Sequence, residues 1–476
     1  MQRIETYRRE DLLKFIGISL FLLTGVLFSQ LLVQISPVLF IYLSGFLALL
    51  IIFFFNLRAG IILLVFLYPL LSLVPDSVII FPESTFSVNL TGLLNLFSPL
   101  FLLVYLLTHK GEKISSSLTK PILIFLGILL LTVFTSFDSW ISLRNFFRLA
   151  MPISVYFLIL QSFKTEEQID QLKKVLLYSS IMPLLLGFYQ ILSGIPQTSE
   201  FYAISQSDNT YIDLNRIISS FAHPNQYAAY LVILIPLVIF FYSENRNAGK
   251  KFSYLLLLAG MLISLFCTYA RVAWAAFLGS LTILGMIRFK KIYLSLVLIL
   301  LVLFLLIPSL NQIFMKRIQP DNSFYQRFSF NLFSLYLISQ KPILGWGTGC
   351  YSLLSASTFG NLESSYGRDI SFRAHNDYLM FLSEIGIVGF SAYLFLFYSL
   401  FKLGHKIFKN KSTNLQSEGS ILLAVLAGVL LYNLSDQGFS NCGFFLWVLI
   451  GIVESRYRLS CSKLSDKSHS LKRGVI

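Results

Sequence analysis

The chain carries little charge for its length. Only 13% of its 476 residues are Asp, Glu, Lys or Arg, whereas soluble domains usually hold about 25%. So few charges could not cover the surface of a soluble protein of this size, which excludes a soluble globular enzyme. Cysteine is scarce as well, and no C-x-x-C pair or zinc-like spacing links the four residues, which argues against a disulfide framework and a zinc site: Cys267, Cys350, Cys442 and Cys461.

Acidic residues are also few, and the formal net charge is +14. In a membrane protein such an excess of Lys and Arg collects in cytoplasmic loops and sets the orientation, so we expect no nucleic acid partner. No D-x-D pair or carboxylate cluster stands in the predicted external segments to hold Mg²⁺. We therefore expect neither a metal nor another cofactor.

Apolar residues are abundant, at 56% of the chain with 46 Phe. Runs of about 20 apolar residues, enough to cross a hydrocarbon core as a helix, recur along the sequence. They predict an all-α polytopic membrane protein with twelve to fourteen transmembrane helices. The fourteen candidate spans are 12–33, 37–55, 59–75, 90–107, 120–136, 144–161, 173–193, 226–242, 252–268, 270–287, 291–308, 376–402, 419–435 and 439–455.

Charge predicts the orientation of these spans. With both termini cytoplasmic, 27 of the 37 Lys and Arg residues lie on the inside, as the positive-inside rule requires. The chain then divides into a bundle of about eleven spans at 1–308 with an external loop at 194–225, a large and partly helical external (periplasmic) loop or cap at 309–375, further spans at 376–455 and a cytoplasmic tail at 456–476.

Most of the predicted external basic residues are Arg, which suits phosphate because its planar fork bonds two oxygens at once. Arg271 stands at the mouth of a span, where an ionisable residue is a candidate functional group, although it could also mark the interface. Arg144 and Arg148 share one helix face. His375 lies where the long loop enters a span, and such a His can accept a proton from a hydroxyl, although it could equally be a lone interfacial residue.

Three stretches resemble the O-antigen ligase and polymerase family of Wzy_C-type membrane glycosyltransferases. His375 and Asn376, followed after nine residues by Gly386-Ile387-Val388-Gly389, fit the family pattern H-[NSQ]-x9-G-x-x-G. The stretch ISQKPILGWGTGCY at 338–351 is similar to a Pro- and Gly-rich segment that follows an Arg-bearing helix, here with Arg327. The stretch RIISSFAHPNQYAAYL at 216–231 resembles R-x-x-G-x-F-x-x-P-N, with Ser219 in place of the more usual Gly.

This resemblance implies transfer of a glycan from an undecaprenyl-pyrophosphate-linked donor to an acceptor hydroxyl at the external face of a bacterial inner membrane. The acceptor would be lipid A-core or a growing glycan. His375 would be the general base of an inverting, metal-independent reaction, and Arg271 and Arg327 would neutralise the leaving pyrophosphate. Substrate contacts are expected from the following residues: Arg216, Asn225, Asn376 and Arg148. Gly386 and Gly389 are expected to let their helix pack closely against another helix.

Other functions stay open at this level. The family includes O-antigen ligases, repeat-unit polymerases and protein O-oligosaccharyltransferases, and the sequence does not choose among them. The main alternative outside enzymes is a transporter of lipid-linked glycans. Transporters often show internal repeats and interrupted helices near the membrane midplane, whereas this chain shows no visible repeat and places its polar residues towards one face. A purely structural scaffold would not need this set of Arg and His residues.

Overall fold

A computed structural model describes residues 37–73, 90–108, 116–193, 216–288, 290–291, 294–295, 297–299, 322–366, 374–410 and 412–473. The described residues form α-helices and no β-strand. The helices are α1 (Pro37–Phe55), α2 (Leu57–Leu67), α3 (Leu90–Thr108), α4 (Thr119–Phe134), α5 (Ser139–Ser162), α6 (Glu166–Tyr178), α7 (Ile181–Ser193), α8 (Pro224–Glu244), α9 (Ala248–Cys267), α10 (Arg271–Ile287), α11 (Asn322–Gln340), α12 (Cys350–Tyr366), α13 (Asp377–Phe408), α14 (Thr413–Asn433) and α15 (Gly438–Arg473), with a 3₁₀ turn at Tyr68–Leu73.

The expected all-α membrane fold is confirmed. Within the described residues, six helical segments are long and apolar enough to cross a membrane: α5, α6 with α7, α8, α9, α13 and α14. Shorter apolar helices occupy Ser44–Phe55, Leu57–Leu71, Gly92–Thr108, Thr119–Phe134 and Arg271–Ile287. The predicted span 12–33 lies outside the described residues, and 291–308 is described only in fragments. The predicted span 173–193 is two helices, because the chain turns at Ser179 and Ser180.

Polar residues at the helix starts explain several boundaries. Asp138 accepts a hydrogen bond from the amide of Ile141 at the start of α5. Thr165 forms a capping box with Gln168 at the start of α6, and Asn247 accepts from Lys250 at the start of α9. Each oxygen satisfies one of the amides that a first helical turn leaves without an intrahelical partner. The apolar runs are thus divided into helices by single polar residues.

Helices α8 and α14 form the centre of the bundle. In each of them 78% of the most apolar stretch is buried inside the protein, and α8 packs against α9, α10, α14 and α15. A helix that is apolar on all sides is stable when it is enclosed in this way. By contrast only 28% of the corresponding stretch of α9 is buried, so α9 lies at the periphery. The two central helices carry the site described below at one of their ends.

Helix α13 is broken at Gly386, and the loop 341–349 fills the break. Gly386 has a φ of 62°, and a Cβ there would lie 2.2 Å from the carbonyl oxygen of Ile343. The expectation of close helix–helix packing at Gly386 is therefore wrong, because its neighbour is a loop. The bonds across the break are Trp346 N to Ser383 O at 3.0 Å, Gly347 N to Glu384 O at 2.8 Å, Ile387 N to Pro342 O at 2.8 Å and Val388 N to Ile343 O at 3.3 Å.

Candidate functional site

Asp436 lies at the centre of a polar cluster, in the turn 434–437 between α14 and α15. Its side chain is buried, with 7% exposed. The amide of Gln437 donates to Oδ1 at 2.7 Å, and the side-chain amide of Asn225 donates to Oδ2. A buried carboxylate that receives hydrogen bonds from two chain segments is held in one orientation. Asp436 is therefore a fixed negative charge, and the other residues of the site are described by their position relative to it.

Arg216 is linked to Asp436 through Asn225. The Arg216 side chain is buried and donates from Nη2 to Asn225 Oδ1 at 2.9 Å. Its Nε donates to the carbonyl of Thr268 at 2.8 Å, in the turn between α9 and α10. Asn225 therefore bridges the two charges, accepting from Arg216 and donating to Asp436. The structure thus brings together Arg216 and Asn225, both predicted from the sequence to bind substrate, and each has a defined hydrogen-bond partner.

His375 lies against the same carboxylate from the start of α13. Its Nδ1 is 4.0 Å from Oδ1 of Asp436, which is electrostatic contact and longer than a hydrogen bond, and 19% of its side chain is exposed. The buried side of the ring thus faces Asp436, while part of it remains accessible. A His placed in this way can exchange a proton with an incoming group and have the resulting charge stabilised by the carboxylate.

Arg327 reaches the turn from α11. Its Nη1 donates to the hydroxyl of Ser435 at 3.2 Å, and its charge acts on Asp436. His223, the N-cap residue of α8, also interacts electrostatically with that carboxylate. Arg327 and His375, predicted to act together, therefore meet at one buried turn although they are 48 positions apart in the chain.

Cationic groups outnumber carboxylates around Asp436. Burial alone would raise the pKa of this carboxyl, but His375, Arg327 and His223 together hold the pKa below its ordinary value. Arg327 and Arg216 remain charged at any physiological pH, and Arg216 is joined to the carboxylate through Asn225. Because Asp377 is a second carboxylate that interacts with Asp436, a net positive charge at the site requires the His residues as well. In the described part of the chain, no group of three or more His, Cys, Asp or Glu residues has an arrangement that could hold a metal ion.

Strained backbone surrounds this cluster. Among the described residues other than glycine, three have a positive φ: Ser219 at 57°, Tyr269 at 49° and His375 at 47°. One is His375 itself, and the others stand close in the chain to Arg216 and to Thr268. Such conformations are uncommon for non-glycine residues and tend to occur where surrounding structure imposes them at functional sites.

The remaining predicted residues lie around this cluster in different ways. Arg271 is the first residue of α10, three positions after Thr268, and its part in neutralising a leaving group stays a prediction. Asn376 is the N-cap of α13, and its Oδ1 accepts from the amides of Tyr378 at 3.0 Å and Leu379 at 3.1 Å. This oxygen is used in capping, so a substrate contact would have to come from its amide nitrogen. Arg148 is exposed on α5, and its charge acts on Glu384 in α13.

The position of the turn 434–437 is fixed by Asp377, the first residue of α13. Its buried carboxylate accepts from the amide of Phe439 at 3.0 Å and from the hydroxyl of Ser440 at 3.2 Å, in the first turn of α15. Because Asp377 follows His375 by two residues, the same short segment places the His and anchors the helix after Asp436. Sequence reasoning missed Asp436, although an acidic residue in the short link between two apolar spans was a usable signal.

A family model matches the part of the chain that carries three of these residues. Residues 255–394 match the family model described as O-antigen ligase, Wzy_C, a range that contains Arg271, Arg327 and His375. Arg216 and Asp436 lie outside it, on the two sides. No curated protein matches the chain. Residues 255–394 are therefore similar to the O-antigen ligase family, and the long apolar helices are those of a multi-pass membrane protein.

Proposed function

We propose that the protein transfers a glycan from an undecaprenyl-pyrophosphate-linked donor to an acceptor hydroxyl at the external face of the inner membrane, as an O-antigen ligase does. The observation that carries this proposal is the approach of His375 Nδ1 to within 4.0 Å of the buried carboxylate of Asp436. Arg327 donates to Ser435 in the same turn, and Arg216 is joined to Asp436 through Asn225. A base, its counter-charge and two permanent cations are the groups that displacement of a pyrophosphate by a hydroxyl requires.

His375 acts as the general base. With Nδ1 protonated and turned towards Asp436, Nε2 is the basic nitrogen that takes the proton from the acceptor hydroxyl. The acceptor oxygen forms its bond to the anomeric carbon while the bond from that carbon to the pyrophosphate oxygen breaks, which inverts the configuration. Asp436 stabilises the imidazolium that results. A positioned base of this kind contributes about 10²–10⁴-fold to a rate.

The Arg residues act on the leaving group. Pyrophosphate gains negative charge as the glycosidic bond breaks, and cations already fixed in place stabilise that charge without reorganisation. Arg216 is held by Thr268 and Asn225, and Arg327 is held by Ser435. Arg271, at the start of α10, is proposed to add a third cation. The proposed acceptor is lipid A-core, and polymerisation of repeat units is the alternative that uses the same chemistry.

The test is transfer by the purified full-length protein in proteoliposomes. The donor is an undecaprenyl-pyrophosphate-linked saccharide, and lipid A-core and non-reducing glycan ends are offered as separate acceptors. His375→Ala and His375→Gln should both lower kcat by about 10²–10⁴-fold with little change in the KM for the donor. His405, on the same helix α13 but near its other end, provides the matched control, and His405→Gln should transfer at the wild-type rate.

Near-normal transfer by His375→Gln would show that the ring orients substrate without taking a proton, since Gln retains a hydrogen-bonding group but not the basicity. Transfer to glycan ends with none to lipid A-core would identify a polymerase instead of a ligase. Movement of the donor across the bilayer without any transfer would support the transporter alternative.

A further inference from the structure

Gln190 is a buried polar side chain in the apolar helix α7, and the proposed reaction does not use it. Only 8% of the residue is exposed. Its Oε1 accepts from the amides of Ile218 at 3.1 Å and Ser219 at 2.7 Å, and its Nε2 donates to the carbonyl of Ser219 at 3.2 Å. A buried amide is costly without such partners. All of these bonds go to the backbone just after Arg216, so this side chain is placed to fix that segment.

The face of α7 that carries Gln190 holds the same segment at two further points. Pro183, Gly187 and Gln190 are buried and share one face, since residues three and four positions apart are neighbours on a helix. The carbonyl of Pro183 accepts from the hydroxyl of Ser219 at 2.5 Å. A Cβ at Gly187 would lie 3.5 Å from Cδ1 of Ile217. The segment after Arg216 therefore packs closely along this face.

The backbone at Ser219 needs outside support. Its φ of 57° is a left-handed conformation that is unfavourable for a residue with a Cβ, and such a conformation persists where surrounding structure imposes it. Gln190 binds both the amide and the carbonyl of Ser219, so it fixes the peptide units on the two sides of this residue. Because these bonds go to backbone atoms, they do not depend on the hydroxyl of Ser219.

The supported backbone leads directly to the Arg216 guanidinium. The amide of Ile217 donates to the carbonyl of Cys267 at 3.2 Å, and Arg216 Nε donates to the next carbonyl, that of Thr268. Hydrogen bonds of this kind weaken steeply when donor and acceptor move out of line. A change of backbone direction at Ser219 would therefore disturb the bonds that hold the guanidinium.

We propose that Gln190 is a positioning residue for the transfer reaction. Its side-chain amide fixes the backbone at Ser219 and thereby the direction from which Arg216 reaches its partners. This inference rests on the proposed function, in which Arg216 stabilises the charge of the leaving group. Gln190 lies outside residues 255–394, the range that matches the family model, and acts on the site through hydrogen bonds to the backbone.

The first test is transfer by the purified full-length protein in proteoliposomes, with an undecaprenyl-pyrophosphate-linked saccharide as donor and lipid A-core or glycan ends as acceptor. Gln190→Met keeps the length of the side chain and removes its hydrogen bonds. We expect kcat per folded molecule to fall about tenfold, since a small misplacement of a fixed group is costly. The KM for the donor should change little, because the affected cation acts on charge that develops in the transition state. In an Arg216→Gln background the same substitution should change kcat by less than about twofold, because Gln190 acts through Arg216.

Gln168→Met is the matched control. Oε1 of Gln168 also accepts from two backbone amides, those of Lys164 at 3.0 Å and Thr165 at 3.3 Å, at the start of α6. This variant should transfer at the wild-type rate whatever its stability. Gln190→Asn withdraws the amide by one methylene group and serves if Gln190→Met does not fold. It should show the same loss of kcat, and the same lack of effect in the Arg216→Gln background.

The second test does not depend on transfer. Phenylglyoxal modifies accessible Arg side chains, and mass spectrometry gives the rate at each residue. Arg216 is buried, so its modification requires local opening. Gln190→Met or Gln190→Asn should raise the rate at Arg216 about tenfold, as expected for the loss of one or two hydrogen bonds, and Gln168→Met should leave it unchanged.

An unchanged rate of Arg216 modification in the Gln190 variants would overturn the inference. A full loss of kcat in the Arg216→Gln background, or an equal loss in Gln168→Met, would also overturn it, because Gln190 would then support only the fold. If the Gln190 variants expose Arg216 but the wild type transfers glycan to neither acceptor, the proposed function fails while the placement of Arg216 by Gln190 stands.

Discussion

Two groups of charged side chains, each with a buried carboxylate, lie towards opposite ends of α14, and they differ in how their cations are held. The inner cluster consists of Asp170, Lys173, Glu418 and Arg456, with Glu418 near the start of α14. Lys173 pairs with Glu418, and with Asp170 at 3.5 Å. Arg456 pairs with Asp170, and with Glu418 at 3.3 Å. Two cations thus meet two carboxylates, and the contacts join α6, α14 and α15.

The site cluster, which consists of Arg216, Asn225, Arg327, His375 and Asp436, lies beyond the other end of α14. There Asp436, with the carboxylate of Asp377 nearby, interacts with Arg327 and His375 and is joined to Arg216 through Asn225. Glu418 and Asn433 are fifteen positions apart, so about 22 Å of helix separates the clusters. Direct ion pairs tie the helices of the inner cluster together, whereas the Arg residues of the site cluster are held by the neutral side chains of Asn225 and Ser435. We therefore expect the inner cluster to serve stability and the site cluster to serve the proposed reaction.

Removal of a cation from the site cluster should affect activity most. We expect Arg327→Gln to lower the rate of transfer by about 10²–10³-fold, the usual loss when one fixed donor to a developing charge is removed. The melting temperature should change little, because Arg327 is only partly buried. Lys341→Gln removes a charge that contacts the ring of Trp346 at 4.4 Å in the neighbouring loop and serves as the control. Equal losses in the two variants would mean that net charge matters and the position of Arg327 does not.

Removal of an anion from the inner cluster should have the opposite result. Glu418→Ala leaves Lys173 and Arg456 without a buried partner, and the loss of one member of such a pair costs about 3–5 kcal/mol. The free energy of unfolding should fall by that amount, while transfer per folded molecule should stay at the wild-type rate. The double variant Lys173→Met, Glu418→Met should recover most of the stability because it leaves neither charge alone. A selective loss of transfer in a well-folded Glu418→Ala protein would contradict the comparison.

The pH dependence of stability tests the charge state of Asp436 in the site cluster. The surrounding cations lower the pKa of Asp436 below its ordinary value, so its stabilising contribution is complete above the unfolded pKa of about 3.9 and is lost as the pH falls through the lower folded value. Thermal unfolding between pH 7 and pH 3 should therefore show that the wild type loses its advantage over Asp436→Asn only towards the acid end. An advantage that disappears between pH 7 and pH 5 would mean that the pKa of Asp436 is not lowered.

The fold class could be predicted from the sequence because the membrane helices are continuous apolar runs, several of which begin at a polar cap residue. Arg216, Arg327 and His375 could also be predicted from the sequence, since a basic residue beside a membrane span is conspicuous. Asp436 was not recognised, because its importance depends on contacts with Asn225 and His375 that are distant in the chain. Such contacts arise from helix packing and leave no local pattern.

The motif of His375 and the two glycines shows the same limit. Its spacing identified the family, but the reason for Gly386 lies in the loop 341–349, which inserts into α13 from elsewhere in the chain. A glycine that packs against a helix and a glycine that admits a loop look alike in a sequence. Ser219 is the converse case, because a departure from the family pattern gains a physical meaning once its φ of 57° is known.

The smallest expected effect concerns Ser219. It tests whether this residue, near the site cluster, holds a strained backbone conformation. Its left-handed conformation costs a non-glycine residue about 1–2 kcal/mol, while its hydroxyl donates to the carbonyl of Pro183 at 2.5 Å, worth about 1 kcal/mol. Ser219→Gly relieves the strain and loses the bond, so stability should change by less than about 1 kcal/mol. Ser219→Ala keeps the strain and loses the bond, so it should be less stable than both other proteins. Thermal unfolding gives the order, and donor transfer should be unaffected in each variant. Equal stability of the Gly and Ala proteins would show that position 219 does not hold a positive φ. Backbone strain at this residue would then not be a feature that distinguishes the site cluster from the inner cluster.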